Sequence, residues 1–321
     1  MFSLNFRMGL LLTALFAVVY AIVVVIGTYM GITDFYFYLV LSIGIMLLQY
    51  AISPLLVQWS MRVRYVTRQE APELYEMVES LARQAKLPMP KVGIAQIPIP
   101  NAFAFGRGVR DGRICVTEGI LRLLNKDELK AVLGHEMSHL KNRDVVTIML
   151  LSVIPMVMWR IAWNFMFYRS RRDERGGGNL FLIGLLAMIF YFITNLLVLY
   201  ASRIREYFAD KGSVALGSRP SDLASALYKL VYGSARLDKE TVKEYQGLKA
   251  FFASDPSQAW NEIRELKGLD IDKDGLIDAN DLLALRNKRV KLGVGDRLLE
   301  AFSTHPNMLK RIKQLSEYRS A

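Results

Sequence analysis

Hydrophobic residues in this chain are gathered into long runs. No charge falls between Met8 and Thr33 or between Phe35 and Met61, and only Asp34 separates the two. Each run exceeds the roughly 20 residues that cross a bilayer core, so residues 8–61 read as a transmembrane hairpin. The first run is too long for a cleaved signal peptide and has no small-residue cleavage site, so it reads as an anchor. Two more apolar runs cover 145–168, which contains Pro155 and Arg160, and 179–202, which is uncharged. Elsewhere the periods shorten. Leu74, Met77, Leu81 and Ala85 stripe one face of a helix over 71–86. Short strands are expected at 91–95, 102–106 and 113–117, followed by a helix in which Leu129, Val132, Leu133, Met137 and Leu140 recur. More helices are expected near 206–210, at 222–232 and on to the C-terminus. The fold class is α+β: a mainly helical domain with a small sheet, formed by 62–144 and 203–321, interrupted by an apolar hairpin at 145–202. With the N-terminal hairpin, that makes about four transmembrane segments.

Composition sharpens this picture. The chain is 52% hydrophobic and carries a net charge of +11. Arg7 precedes the first hairpin and Arg62, Arg64 and Arg68 follow it, whereas its connecting loop has no basic residue. The positive-inside rule then places both ends, and the polar domain, in the cytoplasm. The expected location is the inner (plasma) membrane, multi-pass, with the basic surplus against an anionic leaflet. No nucleic-acid-binding motif accompanies the charge. The single cysteine, Cys115, excludes an internal disulfide and agrees with a reducing compartment.

Candidate chemistry sits in the helix that follows the strands. The chain has three histidines, and two fall in His135-Glu136-Met137-Ser138-His139. Residues four apart share a helix face, so both imidazoles can reach one metal ion while Glu136 acts on a water bound to it. This is a zinc-peptidase signature. Asn125 as N-cap, with Asp127 and Glu128 in the first turn, supports the helix. Gly134 marks a place of close packing or metal approach. A third ligand must be His305 or a carboxylate. Glu206, in Arg205-Glu206-Tyr207-Phe208-Ala209-Asp210, is the better candidate, with Asp210 accepting the free ring N–H of a liganding histidine. The competing reading leaves both acids on a solvated face among Arg203, Arg205 and Lys211.

HEMSH, then EYFAD far downstream, then Ser303-Thr304-His305-Pro306, resemble the HtpX branch of membrane zinc metallopeptidases. CAAX prenyl proteases are more distant relatives. Asn101-Ala102-Phe103-Ala104-Phe105-Gly106 and Thr117-Glu118-Gly119-Ile120-Leu121 match as well, and the resemblance covers nearly the whole chain. It implies one Zn2+ held by His135, His139 and Glu206, with Glu136 as the general base that later passes its proton to the leaving amine. His305 is then the candidate donor to the oxyanion. Alternatively, Ser303 or Thr304 caps a helix with Pro306 in its first turn, and His305 is incidental. Asn101, Ala102, Phe103 and Ala104 are expected to bind substrate by β-addition, or else to form a plain strand with Phe103 and Phe105 in the core.

The resemblance also implies a quality-control role on misfolded or damaged membrane proteins. The rivals are a processing peptidase of CAAX type and a non-catalytic, cation-responsive scaffold; an intact Glu136 speaks against the second. Because His139 and Glu206 must share one side, the runs at 145–168 and 179–202 cross together or not at all. Four spans are favoured, although crossing translocates Arg169, Arg171, Arg172 and Arg175. The alternative is a hairpin at the cytoplasmic face.

The segment 255–292 lies apart from this resemblance and reads as an EF-hand-like insertion. In it, Asp270, Asp272, Asp274, the Leu276 carbonyl, Asp278 and Asp281 fall at calcium-loop positions, with Gly275 at the sharp turn. Asp281 replaces the usual glutamate, which weakens Ca2+ or favours Mg2+.

Overall fold

The computed structural model describes residues 35–167, 177–238, 240–241, 259–288 and 293–318. The expected anchor at 8–33, the basic loop at 169–175 and the outer ends of 255–292 lie outside these residues. The second apolar run is α1 (Phe35–Ser60). A left-handed turn at Arg62 (φ 49°) leads into β1 (Val63–Tyr65). The expected amphipathic helix is α2 (Pro72–Ala85), which buries Leu74, Val78, Leu81, Ala82 and Ala85. Then come β2 (Lys91–Ala95), β3 (Ala102–Phe105) and β4 (Arg113–Thr117). Thr117 ends β4 and caps the short α3 (Glu118–Leu123), its hydroxyl oxygen accepting from the Ile120 N–H.

The histidine-bearing helix is α4 (Lys126–Lys141). Asn125 and Glu128 close a reciprocal capping box at its start, a feature worth about 1 kcal/mol. Glu128 is almost fully buried and also receives Ser225 Oγ at 2.7 Å and Lys229 Nζ at 2.8 Å, which pins a later helix to the start of α4. After α4 come α5 (Asp144–Phe167) and α6 (Gly177–Ala215), packed against each other. The later helix is α7 (Pro220–Ala235), followed by α8 (Ala259–Leu266), α9 (Ala279–Arg286), α10 (Val294–Ala301) and α11 (Met308–Leu315).

The sheet order is β1-β2-β4-β3, with β2 and β4 parallel and the other pairs antiparallel. That leaves β3 on an edge, and α4 packs against it. One core joins α2, α4, α7, α8, α9 and α11 over one face of the sheet, through residues such as Leu81, Leu133, Leu230, Leu282 and Ile312. A smaller core gathers Val57, Met61, Phe103, Phe105 and Cys115 on the other. The segment around 270–281 therefore shares the peptidase core through Leu269, Ile277 and Leu285.

The sequence pattern separates an apolar run ending at 202 from a helix around 206–210, whereas α6 runs through both as one helix of 39 residues. No Gly or Pro falls between Gly184 and Gly212, so nothing breaks the helix where polarity changes. Among the described residues, Phe181–Ala215 is long and apolar enough to cross a membrane.

Candidate metal centre

Two helices that cross closely assemble the centre. On α4, the rings of His135 and His139 meet edge to face, 4.6 Å apart. Opposite them, α6 presents Glu206 and, one turn later, Asp210, which are 6% and 0% exposed. The solvated-face reading of these two acids is thereby overturned. The two histidine Nε2 atoms are 3.0 Å apart. Glu206 Oε2 is 3.6 Å from His135 Nε2, and Oε1 is 3.4 Å from His139 Nε2. Tetrahedral zinc with bonds of about 2.0–2.1 Å places its donors about 3.3 Å apart, so the spacing fits.

Proton bookkeeping reaches the same answer. The Nδ1–H of His135 donates to Asp210 Oδ1 at 2.8 Å, and that of His139 to Asp144 Oδ2 at 2.5 Å. Both Nε2 lone pairs therefore converge with a carboxylate on one point, an arrangement that repels itself unless a cation sits there. Without one, the histidines lean toward protonation. Burial lowers the pKa of His135, but the Asp210 and Glu206 carboxylates outweigh it and raise it overall. His139 shows the same balance against Glu206.

Glu136 lies between the two ligands, and burial pushes its pKa above the ordinary carboxylate value despite the neighbouring histidines. A more basic carboxylate is better matched to removing a proton from water near neutral pH. The backbone N–H of Ala104 on β3 lies beside the Glu136 carboxylate and works against that rise. Antiparallel pairing explains why that N–H is free. Thr117 N–H donates to the Asn101 carbonyl at 2.9 Å, so Asn101, Phe103 and Phe105 spend their backbone groups on β4. Ala102 and Ala104, which alternate with them, face the open edge. The expected substrate segment is corrected accordingly. Asn101 is fully buried and anchors the strand, and Phe103 belongs to the smaller core, so neither offers backbone to a ligand.

His305 reaches the centre from the segment between α10 and α11, its Nδ1 3.2 Å from Glu206 Oε2. The capping alternative is overturned: Ser303 Oγ accepts from the His305 N–H at 3.2 Å, and Asn307 caps α11 through the Leu309 N–H. Arg203 of α6 holds this segment by donating to the carbonyls of Glu300, Ala301 and Ser303 at 2.9, 3.0 and 2.8 Å.

Three residues of the centre went unpredicted. Arg311 is 1% exposed and grips Asp210 through Nε–Oδ2 at 3.0 Å and Nη2–Oδ1 at 2.6 Å. Its signal was a charge on the apolar stripe Met308, Ile312, Leu315. Asp144 orients His139, and Arg205 pairs with Asp144. The signal for Asp144 was an acid at the head of an apolar run, five residues after the second histidine.

The acidic loop is built differently from its pattern. Carboxylate oxygens of Asp270, Asp272 and Asp274 lie within 4.8 Å of one another. Asp278 and Asp281, expected as ligands beside the Leu276 carbonyl, instead close a capping box on α9. Asp281 is 5% exposed, and its oxygens accept the N–H groups of Ile271 and Asp278 at 3.0 and 3.1 Å. The shorter side chain turns back onto its own helix, which leaves Asp270, Asp272 and Asp274 as the grouped carboxylates of the loop among the described residues, and Ca2+ or Mg2+ is not supported as a cofactor.

Two histidines and a glutamate around one point, a buried glutamate beside them and a sheet edge alongside define a metallopeptidase. Comparison with known proteins gives the family. The sequence profile described as Peptidase family M48 matches residues 68–319. A "Protease HtpX homolog" of Methanothermobacter thermautotrophicus is 49% identical over 249 residues, 77% of this chain and 94% of its own. One from Moorella thermoacetica is 39% identical over 71% of this chain and 78% of its own. "Protease HtpX homolog 2" of Methanosarcina acetivorans is 32% identical over 94% and 91%. In structure, the chain is similar to the crystal structure of S. mikatae Ste24p, with a TM-score of 0.58 at 18% identity, over 98% of this chain and 66% of that one. The chain belongs to peptidase family M48, a zinc-dependent family, and is a membrane metallopeptidase.

Proposed function

We propose that this chain is a zinc endopeptidase that cuts extended segments of misfolded or damaged membrane proteins at the cytoplasmic face of the membrane. The observation that carries the reading is the packing of α4 against the edge strand β3, which places Glu136 beside the backbone of Ala104. A segment added to that edge is held by the N–H and carbonyl of Ala102 and the carbonyl of Ala104, whose N–H faces Glu136. Such recognition ignores side-chain identity and suits unfolded substrates.

His135, His139 and Glu206 would hold the zinc, which when bound supplies Lewis acidity to the scissile carbonyl and to water. Glu136 removes the proton of the attacking water and delivers it to the leaving amine. His305 donates to the oxyanion that forms on the substrate carbonyl. Asp210 and Asp144 keep the two imidazoles in the Nδ1–H tautomer throughout.

Membrane placement supports the substrate class. In this reading α1, α5 and the first half of α6 coincide with three of the four expected spans, and α6 continues unbroken into the Glu206 turn. Arg7 before the hairpin at 8–61 and Arg62, Arg64 and Arg68 after it favour a cytoplasmic centre. The loop at 270–281 has no part in this reading.

The test pairs metal content with casein cleavage for detergent-purified wild type and Glu136→Gln. One zinc in both, with cleavage in the wild type alone, is expected. Scattered cut sites support quality control, whereas a single site in a natural substrate favours a processing enzyme. Zinc in both with cleavage in neither would remove the endopeptidase reading.

A further inference from the structure

We propose that Asp144 and Arg205 form a positioning pair that fixes the ring of His139 and ties it to the helix carrying Glu206. The inference rests on the metal-centre reading above, in which Asp144 already faces His139, and adds Arg205, to which that reading gives no role.

The corner between α4 and α5 is where the pair acts. After Lys141 the chain turns through Asn142 and Arg143, then re-enters a helix at Asp144. Arg143 adopts φ 55°, a left-handed conformation that L side chains rarely take. That turn brings the Asp144 carboxylate back to His139, with Oδ2 2.5 Å from Nδ1. Asp144 is 7% exposed, so little water competes for this contact.

A buried carboxylate at a strained corner needs a partner, and α6 supplies it. The Arg205 guanidinium pairs with Asp144 Oδ1 and donates to the Asn142 carbonyl at 3.1 Å. One side chain thus holds both ends of the corner. Arg205 adjoins Glu206 on α6, so the helix that presents the carboxylate ligand also fixes the orienter of a histidine ligand. His135 has its own orienter, Asp210, held by Arg311 from α11. The two imidazoles are therefore fixed from different directions, and only that of His139 depends on how α5 and α6 meet.

The experiment uses the full chain in detergent, loaded with Zn2+ for affinity and with Co2+ for its visible absorption spectrum. Asp144→Asn and Arg205→Ala are each expected to weaken zinc binding about 10–100-fold, the usual effect of losing an orienting partner. Both should also change the Co2+ spectrum, which a remote structural lesion leaves alone. Arg205→Lys should recover part of the affinity. Because Arg205 acts through Asp144, the double variant should bind no more weakly than the weaker single one. Wild-type affinity and spectrum in both single variants would overturn the proposal, as would fully additive losses. Should Arg205→Ala fail to fold, the near-isosteric Asp144→Asn decides alone by the same two readouts. A wild type that binds neither metal instead defeats the metal-centre reading itself.

Discussion

Gly212 of α6 lies directly over Ser138 of α4: a Cβ at Gly212 would stand 2.0 Å from Ser138 Oγ and 2.6 Å from Ser138 Cβ. One turn along α4, Gly134 also meets α6, less tightly, its missing Cβ 2.9 Å from Ser213 Oγ. These two bare positions let α4 and α6 approach until Glu206 reaches both histidines. Gly212→Ala should therefore act on the metal as well as on stability. The hydroxyl can rotate away but the Ser138 Cβ cannot, and overpacking of this kind costs about 1–3 kcal/mol. Both a lower Tm and weaker zinc binding are expected. Adding Ser138→Gly should recover much of the zinc affinity, less the helix penalty of about 1 kcal/mol for the new glycine. If the double variant binds zinc no better than Gly212→Ala, contact at this crossing does not set the ligand spacing.

The glutamate ligand gives the plainest test. Glu206 is buried within hydrogen-bonding or ion-pair reach of His135, His139, His305 and Arg311, and it is the carboxylate that converges with both Nε2 atoms. Loss of even an orienting partner costs about 10–100-fold in metal affinity, so Glu206→Ala should exceed about 100-fold. Competition with a chelator of known zinc affinity measures this. Full zinc occupancy in Glu206→Ala would remove the residue from the ligand set.

What the sequence carried and what it did not differ by physical range. His135, Glu136 and His139 were legible because helix geometry alone puts them on one face, and Asn125 because a cap is a local hydrogen bond. The strands expected at 91–95, 102–106 and 113–117 form at 91–95, 102–105 and 113–117, the second ending before Gly106. Which backbone groups of β3 stay free was not legible, because it depends on register with β4, set by Thr117 and Asn101. Arg311 was hidden for the same reason, since its partner Asp210 lies 101 positions away. The calcium-loop pattern misled over Asp278 and Asp281 because those spacings also make a capping box.

Arg311 and Asp210 form a buried ion pair, 1% and 0% exposed at the side chain. Burial alone would lower the arginine pKa, but Asp210 and Glu206 outweigh it and hold the guanidinium charged. Removing one partner strands the other charge, at a cost of about 3–5 kcal/mol. Arg311→Met should therefore lower the stability of the metal-free protein by that order. Asp210→Asn in the same chain removes the stranded charge and keeps an acceptor for the His135 Nδ1–H. The double variant should then unfold later than Arg311→Met alone, measured as Tm in detergent after chelation. Equal Tm values would show that Arg311 contributes through packing and not through the pair.

His305 and Arg203 should separate chemistry from metal binding. His305 stands beside Glu206 on a segment whose carbonyls at 300, 301 and 303 all accept from Arg203. If the imidazole donates to the developing oxyanion, His305→Ala should lower kcat by about 10²–10³, the usual effect of losing one such donor. Zinc content and KM should change little, because the ground-state carbonyl gains little from that donor. Arg203→Gln leaves the imidazole in place but releases its support, so a smaller fall in kcat is expected. It also leaves three carbonyls without their charged donor, which should cost about 1.5–3 kcal/mol of stability. Steady-state kinetics on one unfolded substrate, with zinc measured in each sample, distinguishes the cases. Loss of zinc in His305→Ala would make the residue a metal ligand or its support, and a rise in KM alone would make it a substrate contact.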